Sequence, residues 1–128
     1  MSENGGSGEL EEFRAFRERM NERILEAGNL EIRRFFALDE RVYRDGALGA
    51  STKELLGLVG SLVLRCDDCV SYHVIRCREE GWSDEEIFEA LSVGLVVGGS
   101  ITIPHLRRAV ALLDELPAAT PAGDPPAE

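Results

Sequence analysis

Three observations predict an all-α fold. Apolar residues recur every three or four positions between Leu10 and Leu116, with charges between them. Helix start and stop signals divide that pattern into segments. No segment alternates apolar and polar residues for long enough to make a strand.

The elements follow in order. Residues 1–8, rich in Gly and Ser, are expected to lack structure, as is the Pro/Ala-rich stretch 117–128. Between them, 9–116 reads as a single domain, since 128 residues supply material for one core. Leu10, Phe13, Phe16, Met20 and Ile24 give the first helix its inward stripe. Gly28 stops that helix and Asn29 can cap the next, whose period runs through Ile32, Phe35, Phe36, Val42 and Tyr43. "STKE" at 51–54 has the form of a capping box: Ser51 opens a third helix and Glu54 reaches back to it. Leu55, Leu56, Val59, Leu62 and Val63 form its apolar face, and the helix falters near Cys66. A fourth runs from about Asp67 to Glu80 and ends at Gly81. "SDEE" at 83–86 is a second capping box, which opens the fifth helix. The second half of that helix, "ALSVGLVVGG", is apolar on every side, as expected of a helix central in a core or in a subunit interface. Gly94 and Gly98, one turn apart, would let another helix approach closely, including one from a second subunit. Pro104 begins the last helix, where a missing N–H costs nothing, and Leu106, Ala109, Val110, Leu113 and Leu116 face inward.

Composition narrows the function. The formal net charge of −10 argues against a nucleic-acid partner, whose affinity would rest on cationic side chains. No apolar run approaches the roughly 20 residues needed to cross a bilayer, so no membrane association is expected. "MSENGGSGELEEF" lacks the basic-then-apolar pattern of a signal peptide. A cytoplasmic location is therefore expected, where paired cysteines are more often catalytic, redox-sensing or metal-binding than structural.

"CDDCVSYH", from Cys66 to His73, concentrates the chemistry. On a helix, Cys66 and Cys69 share one face and lie close enough for a disulfide after small adjustment. His73 lies four residues beyond Cys69 on the same stripe. Amide N–H groups and the positive dipole end at a helix start favour thiolate, and such a cysteine titrates at ~7 or lower instead of ~8.5. An imidazole one turn away can take the thiol proton. Two other readings stand beside this redox dithiol. One is a set of small buried residues, which suits Cys77 best. The other is a metal site. Yet Cys66, Cys69, His73 and Cys77 span about 16 Å along an unbroken helix at ~1.5 Å per residue. They cannot converge on one ion, and a three-ligand set completed by Glu54 would be strained. No metal is expected. Glu54 has a second use besides capping. If the third and fourth helices turn back near Cys66, Glu54 and His73 differ by roughly 8 Å along the hairpin axis. Two long side chains, or one plus a water, would bridge that gap and fix the imidazole tautomer.

Glu54, eleven residues, Cys66, two residues, Cys69, three residues and His73 together resemble the motif of the carboxymuconolactone decarboxylase superfamily, in its AhpD-like alkylhydroperoxidase branch. The resemblance covers roughly 50–116, including "GLVVGGSITIPHLRRAVALLDEL". It implies an all-helical subunit assembled as a homo-oligomer, trimer or hexamer. It also implies reduction of a hydroperoxide by the cysteine pair, with Cys66, Cys69, His73 and Glu54 as the catalytic residues and no cofactor. A dithiol reductant, thioredoxin-like or a lipoyl protein, would recharge the pair. The second histidine of fuller motifs falls at Ser83 here, a cap residue. Of the two cysteines, Cys69 is expected to attack peroxide. Cys66, at the helix edge, is expected to be the more exposed and to resolve and exchange. Arg65 and Arg76 flank the site, and His105 is expected as an exposed first-turn residue. The rival functions are a general disulfide reductase and a non-enzymatic oligomeric redox-sensing module.

Overall fold

A computed structural model describes residues 4–119. The chain forms two compact units, Met1–Asp45 and Gly46–Glu128. The domain read over 9–116 spans both. Among the described residues every regular element is helical.

The first unit holds α1 (Asn4–Ala27) and α2 (Leu30–Val42). The Gly28 N–H bonds Ile24 O at the end of α1. Asn29 caps α2, its Oδ1 accepting the Ile32 N–H at 3.0 Å. Helix α1 starts at Asn4, inside the segment expected to lack structure. Extending a helix already nucleated downstream orders only one residue per added hydrogen bond, so a poor helix-forming turn can be carried by the turns behind it. The rest of that segment, residues 1–3, and the tail residues 120–128 lie outside the described residues. The expected inward stripe is only partly covered. Phe16 is 58% exposed and Phe35 67%, and α2 has no buried residue. Two helices alone cannot close a second layer over both of their apolar faces.

The second unit holds α3 (Ala50–Leu64), α4 (Asp67–Glu79), α5 (Asp84–Gly98), a short 3₁₀ turn (Ser100–Thr102) and α6 (Ile103–Glu115). Helix α3 packs on α4 and α5, and α4 packs on α6. Leu58 and Leu62 of α3, Val74 of α4 and Ile87 of α5 are fully buried at this junction. Each such side chain contributes roughly 1.5–3 kcal/mol relative to exposure.

The two capping boxes read from the sequence diverge. At α5, the Ser83 Oγ accepts the Glu86 N–H at 3.1 Å and the Glu86 carboxylate accepts the Ser83 N–H at 2.8 Å, as expected. At α3 the box does not form. The helix starts one residue earlier, at Ala50, with Gly49 as its cap and no side-chain cap bond. Glu86 is exposed and free to fold back, whereas Glu54 is 3% exposed and turned into the interior. A buried carboxylate must take its strongest partners, and those lie on α4.

The Gly94–Gly98 groove also departs from expectation. A Cβ at Gly94 would meet Leu62 Cδ2 at 2.9 Å, and one at Gly98 would lie 3.6 Å from Val63 Cα. The helix seated in this groove is α3 of the same chain, not a helix of a second subunit. The opposite side of α5 stays open, with Val96 82% and Val97 68% exposed.

Two glycines should therefore respond with opposite signs. Gly60 lies mid-α3 with open space where a Cβ would go. Gly60→Ala should stabilise by about 0.5–1 kcal/mol through helix propensity. Gly94→Ala gains the same propensity but drives a methyl into Leu62, which is 0% exposed and cannot withdraw. Overpacking of that kind costs about 1–3 kcal/mol, so the net effect should be a loss. Thermal unfolding of both variants checks the pair.

Candidate active site

The site is built at the turn between α3 and α4. Arg65 takes the left-handed conformation at φ 60°, which costs a non-glycine residue about 1 kcal/mol. It lets the Arg65 N–H bond Leu62 O at 2.9 Å and the Cys66 N–H bond Ser61 O at 3.1 Å, so α3 closes and the chain reverses. Cys66 then becomes the N-cap of α4, its Sγ accepting the Cys69 N–H at 3.2 Å. Cys66 and Cys69 form a disulfide, with their Cα atoms 5.2 Å apart. Their exposures reverse the expectation: Cys69 is exposed and Cys66 half-buried. As a cap, the Cys66 sulfur is drawn back over the first turn of the helix.

Behind the disulfide lies a buried acid–imidazole pair. His73, 7% exposed, meets Glu54 through Nδ1 and Oε1 at 2.8 Å. An ionised carboxylate only accepts, so Nδ1 carries the proton in this bond. Of the two bridges that hairpin geometry allowed, the one formed is the direct contact of the two side chains. The other carboxylate oxygen, Oε2, lies 3.5 Å from Arg76 Nε. Arg76 also binds Glu79 at 2.5 Å and Glu80 at 3.1 Å. Partial burial works against the Arg76 charge. The bond to Glu79 and the charges of Glu54 and Glu79 outweigh it and hold the guanidinium above its usual range. The Tyr72 ring stands edge-on to His73 at 5.1 Å between centroids. The structure thus joins Glu54 to His73 and Cys66 to Cys69 on successive turns of one hairpin, and adds Arg76 to the carboxylate.

A second cluster sits on the residue between the cysteines' first positions. Asp67, the first residue of α4, binds His105 Nδ1 through Oδ1 at 2.7 Å and Arg108 Nη1 through Oδ2 at 2.9 Å. His105 is therefore not a free first-turn side chain; its side chain is 20% exposed and tied to α4. Arg108 was not singled out from the sequence. No local signal links residues 38 and 41 positions apart; only the packing of α6 on α4 brings them together.

Cys77 is fully buried, as expected of a core residue. Burial first, then the charges of Glu54 and Glu80, push its thiol from 9.0 up to about 12, against the pull of Arg76. Among the described residues no group of three or more His, Cys, Asp and Glu side chains is arranged to hold a metal ion. No described helix is long and apolar enough to cross a membrane.

The Cys77 environment has two measurable consequences. After reduction, iodoacetamide at pH 8 should modify Cys66 and Cys69 in the native protein and leave Cys77 untouched until unfolding. Because the folded thiol holds its proton more tightly than the unfolded one, its contribution to stability is complete below 9.0 and is lost as pH rises to about 12. Denaturant midpoints measured from pH 8 to 12 should fall across that window, and Cys77→Ala should flatten the fall.

Comparison with known proteins places this geometry. The Carboxymuconolactone decarboxylase family model matches residues 32–112. "Uncharacterized protein 4 in cox locus" of Paracoccus denitrificans is 37% identical over 82 residues, 64% of this chain and 74% of that protein. Two crystal structures of one Thermotoga maritima protein superpose with TM-scores of 0.80 and 0.78, at 62% and 60% identity. They cover 81% of this chain and 91% and 88% of theirs. That protein is described as a member of the same family for which a part in an antioxidative response has been suggested. A family protein from Legionella pneumophila shares the fold at a TM-score of 0.70 and 20% identity, over 88% of this chain and 96% of that one. The chain belongs to the carboxymuconolactone decarboxylase family.

Proposed function

We propose that this protein is a thiol-dependent peroxidase that reduces hydroperoxides through a Cys66–Cys69 dithiol/disulfide cycle. The observation that carries the proposal is the disulfide at the start of α4 with His73 one turn further along the same helix, buried and bonded to Glu54 of α3. In the reduced protein, His73 Nε2 takes the Cys69 thiol proton, directly or through water, while Glu54 holds the ring by Nδ1. Cys69 is the exposed cysteine and the nearer to His73 in sequence, so it is the one assigned to peroxide. Its thiolate attacks the outer peroxide oxygen, an S–O bond forms, the O–O bond breaks, and the leaving alkoxide takes a proton to become an alcohol. Cys66 then attacks the sulfenic sulfur, the S–O bond breaks, the hydroxyl takes a proton and leaves as water, and the disulfide closes. Two thiols have lost two electrons and the peroxide has gained them.

Recharging follows the exposures. A dithiol reductant of thioredoxin or lipoyl type attacks the exposed Cys69 sulfur and displaces Cys66 as thiolate. The Cys69 N–H, already directed at Cys66 Sγ, stabilises that leaving group. This moves the exchange step from Cys66, where exposure was expected, to Cys69. A second reading, a general disulfide reductase, is favoured by Ser83, which stands at the second motif histidine and is fully used as a helix cap. A cytoplasmic setting suits either dithiol cycle.

We also propose that the protein works as a homo-oligomer, trimer or hexamer. Phe16 and Phe35 of the first unit and Val96 and Val97 of the second present large apolar surface to solvent. Surfaces of this kind mark association sites.

Multiple turnovers of peroxide per subunit, with a thioredoxin-type or lipoyl-type reductant, are expected from the purified protein. A single stoichiometric oxidation would instead support the sensing module. His73→Ala should lower turnover by about 10²–10⁴-fold, the scale of a general base. It should also slow thiol alkylation near neutral pH, and an unchanged pH profile would refute the assigned role. Light scattering coupled to size-exclusion chromatography should give a mass well above the 14.1 kDa of one chain. Val96→Glu should lower that mass without loss of helix content, and a monomer mass for the unaltered protein would overturn the assembly proposal.

A further inference from the structure

Helix α6 brings a guanidinium, Arg108, and an imidazole, His105, to the start of α4, and neither belongs to the motif of Glu54, Cys66, Cys69 and His73. His105 and Arg108 each occupy one oxygen of Asp67, the residue that directly follows Cys66. The arrangement has an electrostatic consequence. A thiolate at Cys66 is favoured by the Cys69 N–H and by the positive end of α4. It is opposed by two carboxylates in the same turn, Asp67 and Asp68. A negative charge on the adjacent residue holds a thiol protonated. Asp67 is the one of these two whose charge is offset, because both of its oxygens are engaged from α6.

We infer that the Arg108–Asp67–His105 cluster is an electrostatic clamp that makes Cys66 a better thiolate, so that Arg108 and His105 are positioning residues acting through Asp67. The inference rests on the thiol-cycle reading above, in which Cys66 is the resolving nucleophile and the leaving group of exchange. Both roles improve as its thiolate becomes more accessible at working pH. The charged and titratable groups on the elements that meet at the start of α4 include Glu54 of α3, Arg65 at its end, Asp67, Asp68 and His73 of α4, and His105 and Arg108 of α6. Of these, Arg108 is the most readily tested. Its side chain is 66% exposed, so its removal should leave the core intact.

The test measures Cys66 alone. In a reduced Cys69→Ser background, iodoacetamide labelling of Cys66 is followed against pH by peptide mass mapping, with no peroxide present. Arg108→Gln should move the labelling profile to higher pH by about half a pH unit, the scale of one partly exposed charge nearby. His105→Phe should move it in the same direction. Arg108→Lys should stay near the parent. Asp67→Asn should move the profile to lower pH, and in the Asp67→Asn background Arg108→Gln should have no further effect. A merely structural role predicts something else: Asp67→Asn and Arg108→Gln would loosen the same contact and shift the profile in one direction. The clamp is overturned if they do so, if Arg108→Gln leaves the profile in place, or if its effect persists unchanged without the Asp67 carboxylate. Because the readout involves no turnover, an inactive protein with these shifts would refute the peroxidase and keep the clamp, while an active protein without them would do the reverse.

Discussion

The hydrogen bond between Glu54 and His73 constrains most of this site. Taking a carboxylate out of water is costly unless its oxygens are engaged. Glu54 satisfies one oxygen with His73 Nδ1 at 2.8 Å and faces Arg76 with the other at 3.5 Å. Both partners lie on α4, so α3 and α4 can pair in only one register without stranding a charge. The apolar packing of Leu58 and Leu62 against the neighbouring helices supplies the general attraction, but apolar contacts tolerate sliding more readily than a buried carboxylate does. Once that register is set, the left-handed Arg65 closes α3 and Cys66 falls at the first cap position of α4. The cysteine pair is thus positioned by a bond that lies a full turn away from it.

The start of α4 combines opposing electrostatic influences on one pair of sulfurs. The backbone contributes the Cys69 N–H and the helix dipole, both of which favour negative charge on Cys66. The sequence places Asp67 and Asp68 in the same turn, which satisfies the dipole with carboxylates and disfavours a thiolate beside them. Arg108 and His105 of α6 engage both oxygens of Asp67 on one side, and His73 stands bonded to Glu54 on the other. Cys77 shows what happens without such help. Four residues beyond His73, with burial and carboxylate charge acting together, its thiol is pushed up to about 12.

The apolar residues of the first unit and of the outer face of α5 have a different status from the core. Leu58, Leu62, Val74 and Ile87 are covered within the second unit, whereas Phe35 is 67% and Val96 82% exposed. The all-apolar half of α5 therefore divides by face: the glycine side accepts α3, and the valine side remains available for association. That division settles the glycine side of α5 as core.

Helix number, order and most boundaries were legible in the residues, because caps, periodicity and glycine stops act within one or two turns of chain. Asn29, the Ser83–Glu86 box and Gly81 all behave as their local chemistry dictates. The grouping of Cys66, Cys69 and His73 on one helix was legible for the same reason, and the pairing of Glu54 with His73 was legible from the hairpin spacing. Three features were not. Ser51 and Glu54 have the form of a capping box, but burial assigned the carboxylate to His73 instead. Gly94 and Gly98 announce a close helix contact, but not whose helix, and α3 of the same chain fills it. His105 and Arg108 meet Asp67 across 38 and 41 residues. The sequence alone determined which side chains can share a helical face, since that depends only on the 3.6-residue turn. Which carboxylate is buried, which sulfur is exposed and which cations reach Asp67 depend on how the helices pack against one another, and only the tertiary structure decided them.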